Sequence, residues 1–527
     1  MKFNNIIDKC LPNPHHIYKT LDMIAPLAFS QERLWFIHNF EEGTSAYNIT
    51  IAYELHKTID LDLLKKALQS IMQRHSVLRS VIRTGRHGVE QHVISLEEQS
   101  VRISEISLED MAALDWSLQQ DERYIFDLSQ DYPILFKLYL CEETYYLSLI
   151  VHHIAFDGWS IDIFVKELVE YYKYHKNKLY SPNLDALPIQ YKDYALWQRT
   201  YLSGDVLAKQ MSFWVTKLRR YQPLNLAYDK SRPLKIDYCG ENVYFEVDLA
   251  ITEHLRNLAK ELKVTLYSIL LSAYYLLLRT YSFQDDIVIG TPIANRHHEQ
   301  AEDLIGFFVN TLAIRINAPH LSLQELIVKI GSDIFEAQSY QDLPFEKLVQ
   351  ELKIPKDTSR HPIFQVFFSV QNFGDRYDNE TEDNFLIRNY SPNNTYNEAA
   401  LFDLNLNIDD SKDVLKGYLN FAKSLFFRES IENMVATYCY LLQQLAAIDP
   451  KGSDEIESLQ YIKPSNHEKL ISTGHGIKEN FLSNKTIHEL FEDQVKLTPH
   501  HIAIIYEDIK STYQELNNNA NKLAHYL

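Results

Sequence analysis

The chain has 527 residues, 46% hydrophobic and 23% charged, a composition that excludes a largely disordered protein and, at this length, calls for at least two packed lobes, since one core stops growing near roughly 250–300 residues. Its formal net charge of −19 speaks against nucleic-acid binding, which needs clustered Lys and Arg on the phosphates. Cys10, Cys141, Cys239 and Cys439 stand far apart without disulfide or metal spacing, and no run reaches the ~18 apolar residues of a membrane span, so a reducing cytoplasm and no membrane are expected.

Residues 1–23 lack the apolar core of a signal peptide and read as a frayed leader or docking segment. Between 48 and 57, Ile49, Ile51, Tyr53 and Leu55 alternate with Thr, Ala and Glu, the period of a strand with one buried face. Asp60 then caps a helix with Leu61, Leu64, Leu68 and Ile71 on one face. The order repeats: a buried strand over 145–151, a loop over 152–158, and a helix capped by Ser160 that carries Ile161, Phe164, Val165, Leu168 and Tyr172.

After Trp197 the chain turns polar and basic as far as Arg220, and apolar elements resume near Val243, which marks a lobe boundary. The run 266–278 contains three tyrosines and two serines and reads as a buried helix. A strand over 286–290, a turn at Thr291 and Pro292, and a second strand over 307–314 follow, giving a mixed α/β sandwich. Residues 375–397 read as an exposed loop or insertion and 449–484 as a linker.

The loop His152-His153-Ile154-Ala155-Phe156-Asp157-Gly158 places two imidazoles and a carboxylate between strand and helix, where chemistry concentrates. Taken alone, it also fits a core histidine pair with a helix-capping aspartate; a metal site fits less well, because no third ligand is spaced to join the pair. The loop matches the His-His-x-x-x-Asp-Gly signature of condensation domains of nonribosomal peptide synthetases, relatives of chloramphenicol acetyltransferase. Six further motifs resemble that family in order: Ser30-Gln31-Glu32-Arg33-Leu34-Trp35-Phe36, Arg74-His75-x-x-Leu78-Arg79, Tyr191-Lys192-Asp193-Tyr194-Ala195-Leu196-Trp197, Gly306-Phe307-Phe308-Val309-Asn310-Thr311, Gln341-Asp342-x-Pro344-Phe345-Glu346, and Ser359-Arg360-His361-Pro362-Ile363-Phe364-Gln365-Val366. From Thr486, Ile487-His488-Glu489-Leu490-Phe491-Glu492 and Thr512-Tyr513-x-Glu515-Leu516-Asn517 resemble the opening of an adenylation domain, cut short at Leu527 before any phosphate loop.

The resemblance implies an α/β (α+β sandwich) fold of two acetyltransferase-like lobes in a V-shaped pseudo-dimer with a central tunnel. The expected division is leader 1–23, N lobe 24–200, C lobe 201–450, linker 451–485 and adenylation start 486–527. It implies an acyltransferase that forms an amide when a carrier-bound aminoacyl amine attacks an upstream carrier-bound thioester. His153 is the implied catalytic residue, as proton acceptor or by orienting the amine, and Gly158 offers its backbone N–H to the oxyanion. His152 packs the loop, Asp157 pairs with Arg296 across the lobes, and Asn310 supports the channel or a strand edge; Arg74 and Arg79 are structural. No cofactor or metal is expected on the domain itself, its substrates arriving on 4′-phosphopantetheine of donor and acceptor peptidyl carrier proteins. The wording near 45–49 is most like the L-donor branch. Epimerisation, a catalytically silent docking platform and a free-standing coenzyme A acyltransferase are the rivals. Heterocyclisation is disfavoured because that branch replaces the histidines with aspartates.

Overall fold

The alternation at 49–55 and the helical stripe after Asp60 both fold as expected in a computed structural model, which describes residues 16–40, 43–85, 88–98, 101–355, 357–371, 386–390, 399–463, 467, 471, 485–507 and 509–527. Two compact units emerge, Met1–Tyr461 and Ile462–Leu527.

The first half of the larger unit runs β1 (Ile24–Pro26), α1 (Phe29–Phe40), β2 (Asn48–Leu55), α2 (Leu61–Arg74), β3 (Ser80–Gly85), β4 (Gly88–Val93), β5 (Ile103–Ser107), α3 (Met111–Glu122), β6 (Ile134–Cys141), β7 (Thr144–His152), α4 (Gly158–Lys176) and α5 (Tyr191–Tyr201). The Asp60 carboxylate accepts from the amides of Asp62 and Leu63, which starts α2. Leu64, Leu68 and Ile71 on α2 share a core with Leu147, Leu149 and Ile150 on β7 and with Phe164 and Leu168 on α4. Burying that apolar face, more than helix propensity, holds α2 and α4 against the sheet.

The second half runs α6 (Gly204–Lys217), β8 (Gly240–Glu246), α7 (Leu249–Leu262), α8 (Leu266–Ser282), β9 (Asp286–Ile293), β10 (Asn310–Asn317), α9 (Leu323–Gln338), α10 (Phe345–Glu351), β11 (Val366–Gln371), β12 (Ile387–Tyr390), β13 (Leu404–Asp409), β14 (Lys416–Ala422) and α11 (Arg428–Leu445). Its sheet has the order β10-β9-β11-β13-β14-β8, and the N-lobe sheet the order β12-β2-β7-β6-β5. The expected buried helix is α8, with Ile269 through Leu278 almost entirely enclosed. Among the described residues no single helix is long and apolar enough to cross a membrane; α7 and α8 qualify only as a pair bent by 108°.

Several boundaries differ from the sequence reading. Residues 387–390, expected in an exposed loop, form β12 and pair antiparallel with β2, so a segment following the C-lobe strand β11 completes the N-lobe sheet; the remainder of that loop falls largely outside the described residues. Thr291 and Pro292 do not turn. They continue β9 opposite Leu312 and Thr311, and Pro292 is tolerated because β11 meets β9 only at Gly290, leaving no ladder bond for the missing N–H on that side. Phe307 precedes the strand instead of opening it, since β10 begins at Asn310. The expected linker starts later: the Asp454 carbonyl accepts from the Leu323 amide, and Ile456 and Leu459 are buried. Residues 1–15 of the expected leader lie outside the described residues, but Ile17 is buried and exchanges backbone hydrogen bonds with the Gln300 side chain, so the segment is pinned from there on.

The smaller unit contains α12 (Ile487–Leu497), the hairpin β15 (Ile502–Tyr506) with β16 (Ile509–Thr512), and α13 (Tyr513–Tyr526). Thr486 and Glu489, then Thr512 and Glu515, form reciprocal capping boxes. Val495 is its one buried hydrophobic residue among those described.

Gly290, in the middle of β9, has no side chain because the buried Phe364 ring lies on it: a Cβ there would stand 2.2 Å from a ring carbon. Gly290→Ala is expected to lower stability by about 1–3 kcal/mol through overpacking. Denaturant melts check this, and an unchanged midpoint would mean that the ring relaxes freely.

Candidate active site

The loop between β7 and α4 is built by its own backbone. The His152 amide donates to the Pro133 carbonyl at 2.9 Å and the His153 amide to the Tyr47 carbonyl at 2.8 Å, and residues 153–155 make one 3-10 turn. The cap of α4 is Asp157 instead of the expected Ser160; Ser160 lies in the first turn and gives Asp157 both its amide (3.0 Å) and its hydroxyl (2.7 Å). A carboxylate accepts the orphan first-turn amide more strongly than a hydroxyl does, which decides the position of the cap.

The two histidines are wired oppositely. His152 is fully buried, and its Nδ1 accepts from the Ile154 amide at 3.1 Å, so the neutral ring carries its proton on Nε2. Burial, then the neighbouring His38 and His153 rings, push its pKa down to about 3. His153 is half-buried, and its Nδ1 lies 2.6 Å from the Phe156 carbonyl, which can only accept. Its proton is therefore on Nδ1 and its lone pair on Nε2. Burial lowers the pKa of His153; the Phe156 carbonyl and Asp157 counter this, while Arg33 adds to it. His152 is a neutral packing piece, whereas His153 keeps a free basic nitrogen.

Asp157 and Arg296, expected as partners, are brought together at 2.9 Å although 139 residues separate them in the chain, and both side chains are almost wholly buried. The guanidinium also donates to the carbonyls of Ala301 (2.9 Å) and Leu304 (2.6 Å) and covers the Phe308 ring at 4.1 Å. The second Asp157 oxygen accepts from the Phe308 amide at 3.2 Å, and the Ser160 hydroxyl lies 3.2 Å from both the amide and the carbonyl of Gly306. Residues 296–308 are thereby fastened onto the N-lobe loop.

A family model described as Condensation domain matches residues 22–471. The chain belongs to the condensation-domain family. Peptide-bond formation, an acyl transfer, is the general function of that family. The chain is 33% identical over 518 residues to N-(5-amino-5-carboxypentanoyl)-L-cysteinyl-D-valine synthase of Penicillium rubens, and 33% identical over 507 residues to gramicidin S synthase 2 of Aneurinibacillus migulanus. These matches take in 96% and 95% of this chain but only 14% and 11% of the relatives. Among solved structures it resembles a four-domain nonribosomal peptide synthetase bound to AMP and glycine, with TM-score 0.79, 21% identity, and coverage of 96% of this chain and 38% of the other. It also resembles the X-domain of teicoplanin biosynthesis in complex with OxyB, with TM-score 0.74, 25% identity, and coverage of 86% and 98%.

The other predicted residues of the condensation domain fall into two groups. Gly158 is the first residue of α4, where helix geometry leaves its amide without an intrahelical acceptor. Asn310 donates to the carbonyls of Gln341 and Leu343, each at 2.7 Å, so it ties the start of β10 to the loop between α9 and α10 while lining a cavity of about 50 Å³. Arg74 reaches Glu167 at 2.7 Å, and Arg79 reaches the Ile94 carbonyl at 2.6 Å, both away from that cavity. Sequence reasoning gave no role to Arg33 and Glu346, which pair at 3.3 Å across the lobes and line the cavity. Burial raises the Glu346 pKa and Arg33 draws it back. Each sits inside a recognised motif, and that was the available signal.

Two outcomes follow for the condensation domain. Asp157→Asn or Arg296→Met alone should each cost about 3–5 kcal/mol, because the partner charge is left buried, and the double variant should cost less than the sum; strict additivity in denaturant melts would show that the pair is not coupled. For His152, the folded pKa of about 3 lies below the unfolded value of about 6.5. Its contribution is therefore intact above pH 6.5 and lost as pH falls toward 3. Melts between pH 7.5 and 5 should show a smaller decline for His152→Asn than for the unmutated chain, and equal declines would refute the assignment.

Proposed function

We propose that the domain condenses two carrier-bound substrates, with the amine of a downstream aminoacyl thioester attacking the carbonyl of an upstream acyl or peptidyl thioester. The observation that carries this is His153: a neutral imidazole with Nδ1 committed to a backbone carbonyl, Nε2 left basic, and a ring packed behind Phe307, which lines the cavity between the lobes where His153 itself does not.

An α-amino group titrates near ~8, so much of the nucleophile is neutral at working pH. A weakly basic imidazole is poorly suited to stripping a proton from free ammonium. It is well suited to accepting a hydrogen bond that aims the neutral amine and then to taking a proton once attack makes the nitrogen cationic. The developing oxyanion is met by the first turn of the 19-residue helix α4, with the Gly158 amide as donor. Asp157 at the cap would oppose an anion there, but Arg296 balances its charge. Collapse of the adduct expels the upstream carrier's thiolate and leaves the amide on the downstream carrier.

In this reading both substrates hang on 4′-phosphopantetheine arms of separate donor and acceptor carrier proteins in a cytoplasmic synthetase, and the domain holds no cofactor of its own. Residues 486–527 are read as the opening of the adenylation domain, supported by their motifs and their separate packing. The X-domain similarity favours a second reading, a platform that recruits other proteins without catalysis.

Intact-mass detection of amide product on loaded carriers separates the two. His153→Ala should lower the single-turnover rate by about 10²–10⁴-fold at unchanged stability. The imidazole-dependent acid limb of the unmutated protein should lie below the ordinary value of about 6.5. Carrier binding without product across a broad substrate panel would instead favour the platform.

A further inference from the structure

We infer that Phe307 is the positioning residue that fixes the His153 imidazole, so that a C-lobe side chain sets the aim of the N-lobe base. The inference rests on the reading of His153 given above. The two rings stand 4.8 Å apart between centroids at 56°, and Phe307 also lines the cavity of about 50 Å³ together with Ser30, Arg33 and Asn310. With Nδ1 held by the Phe156 carbonyl, the imidazole can still swing about that bond. A ring packed on its side removes this freedom and determines where Nε2 points.

The backbone carrying Phe307 is held with unusual thoroughness. Its carbonyl accepts from the Tyr191 hydroxyl at 2.6 Å and from the Ser30 hydroxyl at 3.1 Å. On one side the Ile305 amide donates to His75 Nδ1 at 3.3 Å and the Gly306 amide meets the Ser160 hydroxyl at 3.2 Å; on the other, the Phe308 amide donates to Asp157. His75 is anchored in turn by Glu167 at 2.9 Å. Gly306 has no room for a side chain, since a Cβ would stand 2.2 Å from the Tyr191 ring. That close approach lets Tyr191 reach the Phe307 carbonyl. Five N-lobe side chains thus converge on four consecutive C-lobe residues, and the unbonded product of that convergence is the Phe307 ring against His153.

The ring also excludes water from the imidazole, in line with burial as the largest influence on its proton affinity. The charged groups acting on His153 are Asp157 and Arg33, with neutral His152 beside it, and a substitution at Phe307 alters none of them.

The test uses the full chain with loaded carriers, comparing Phe307→Leu and Phe307→Tyr with the unmutated protein and His153→Ala. Imidazole NMR follows the His153 titration independently of turnover. Phe307→Leu should move the His153 midpoint up toward the ordinary imidazole value, carry the acid limb of the rate with it, and lower kcat by about tenfold with KM for both carriers little changed. Phe307→Tyr, which keeps the ring, should restore the midpoint, the limb and kcat. An unmoved midpoint, or a rate loss with an unmoved limb, overturns the inference. If unmutated protein and His153→Ala react alike, the catalytic reading of His153 fails, while the NMR midpoint still decides whether Phe307 sets the imidazole's environment.

Discussion

The buried pair of Asp157 and Arg296 is the interaction on which the site depends. Each charge carries a desolvation cost that only the other, with the amides and carbonyls around them, can offset. Asp157 uses both oxygens, accepting from Ser160 and Arg296 with one and from the Phe308 amide with the other. Arg296 donates through Nη1 to the carbonyls of Ala301 and Leu304 and through Nη2 also to the Ser160 hydroxyl, while its buried Nε meets no acceptor among the described residues. A loop with two histidines is thereby given a fixed shape by residues nearly 140 positions away, a distance set by the 139-residue separation of the pair.

That arrangement separates the tasks of the two histidines. His152, sealed in the N-lobe core, accepts a backbone amide and is held neutral by burial. His153, one residue on, leaves the strand, turns its Nδ1 to a carbonyl and faces the C-lobe ring of Phe307. The period of two along β7 puts successive side chains on opposite faces, so adjacent imidazoles in the sequence need not share an environment.

Much of this was legible beforehand, for physical reasons. Periodicity revealed β2 and α2 because each has one buried face, and the run at 266–278 reads as a core helix because it carries no charged side chain and is apolar on every face, with Ile269 through Leu278 buried. The histidine motif held His153 and Asp157, and the family resemblance pointed to Arg296 as the partner of Asp157. Other features depend on tertiary partners and leave no local trace. Ile387–Tyr390 is four residues with no alternation, and it becomes a strand only because the edge of β2 is free to receive it. Pro292 signals a turn by propensity, yet it extends β9 where no ladder bond is required. Phe307 reads as the first residue of an apolar strand; that it instead precedes β10 and lies on an imidazole follows from hydrogen bonds to five separate N-lobe side chains. Ser160 looked like a helix cap by residue type, but Asp157 three positions earlier is the stronger acceptor.

The histidine loop and the C-lobe segment over 296–308 form one cooperative unit. Residue-resolved amide hydrogen exchange in the unmutated chain and in Asp157→Asn tests it most directly, following Ser160, Gly306 and Phe308 together with the strands β6 and β7 as internal standards. In Asp157→Asn all three amides should lose protection together while the strands keep theirs. Loss confined to Ser160, with Gly306 and Phe308 still protected, would contradict it.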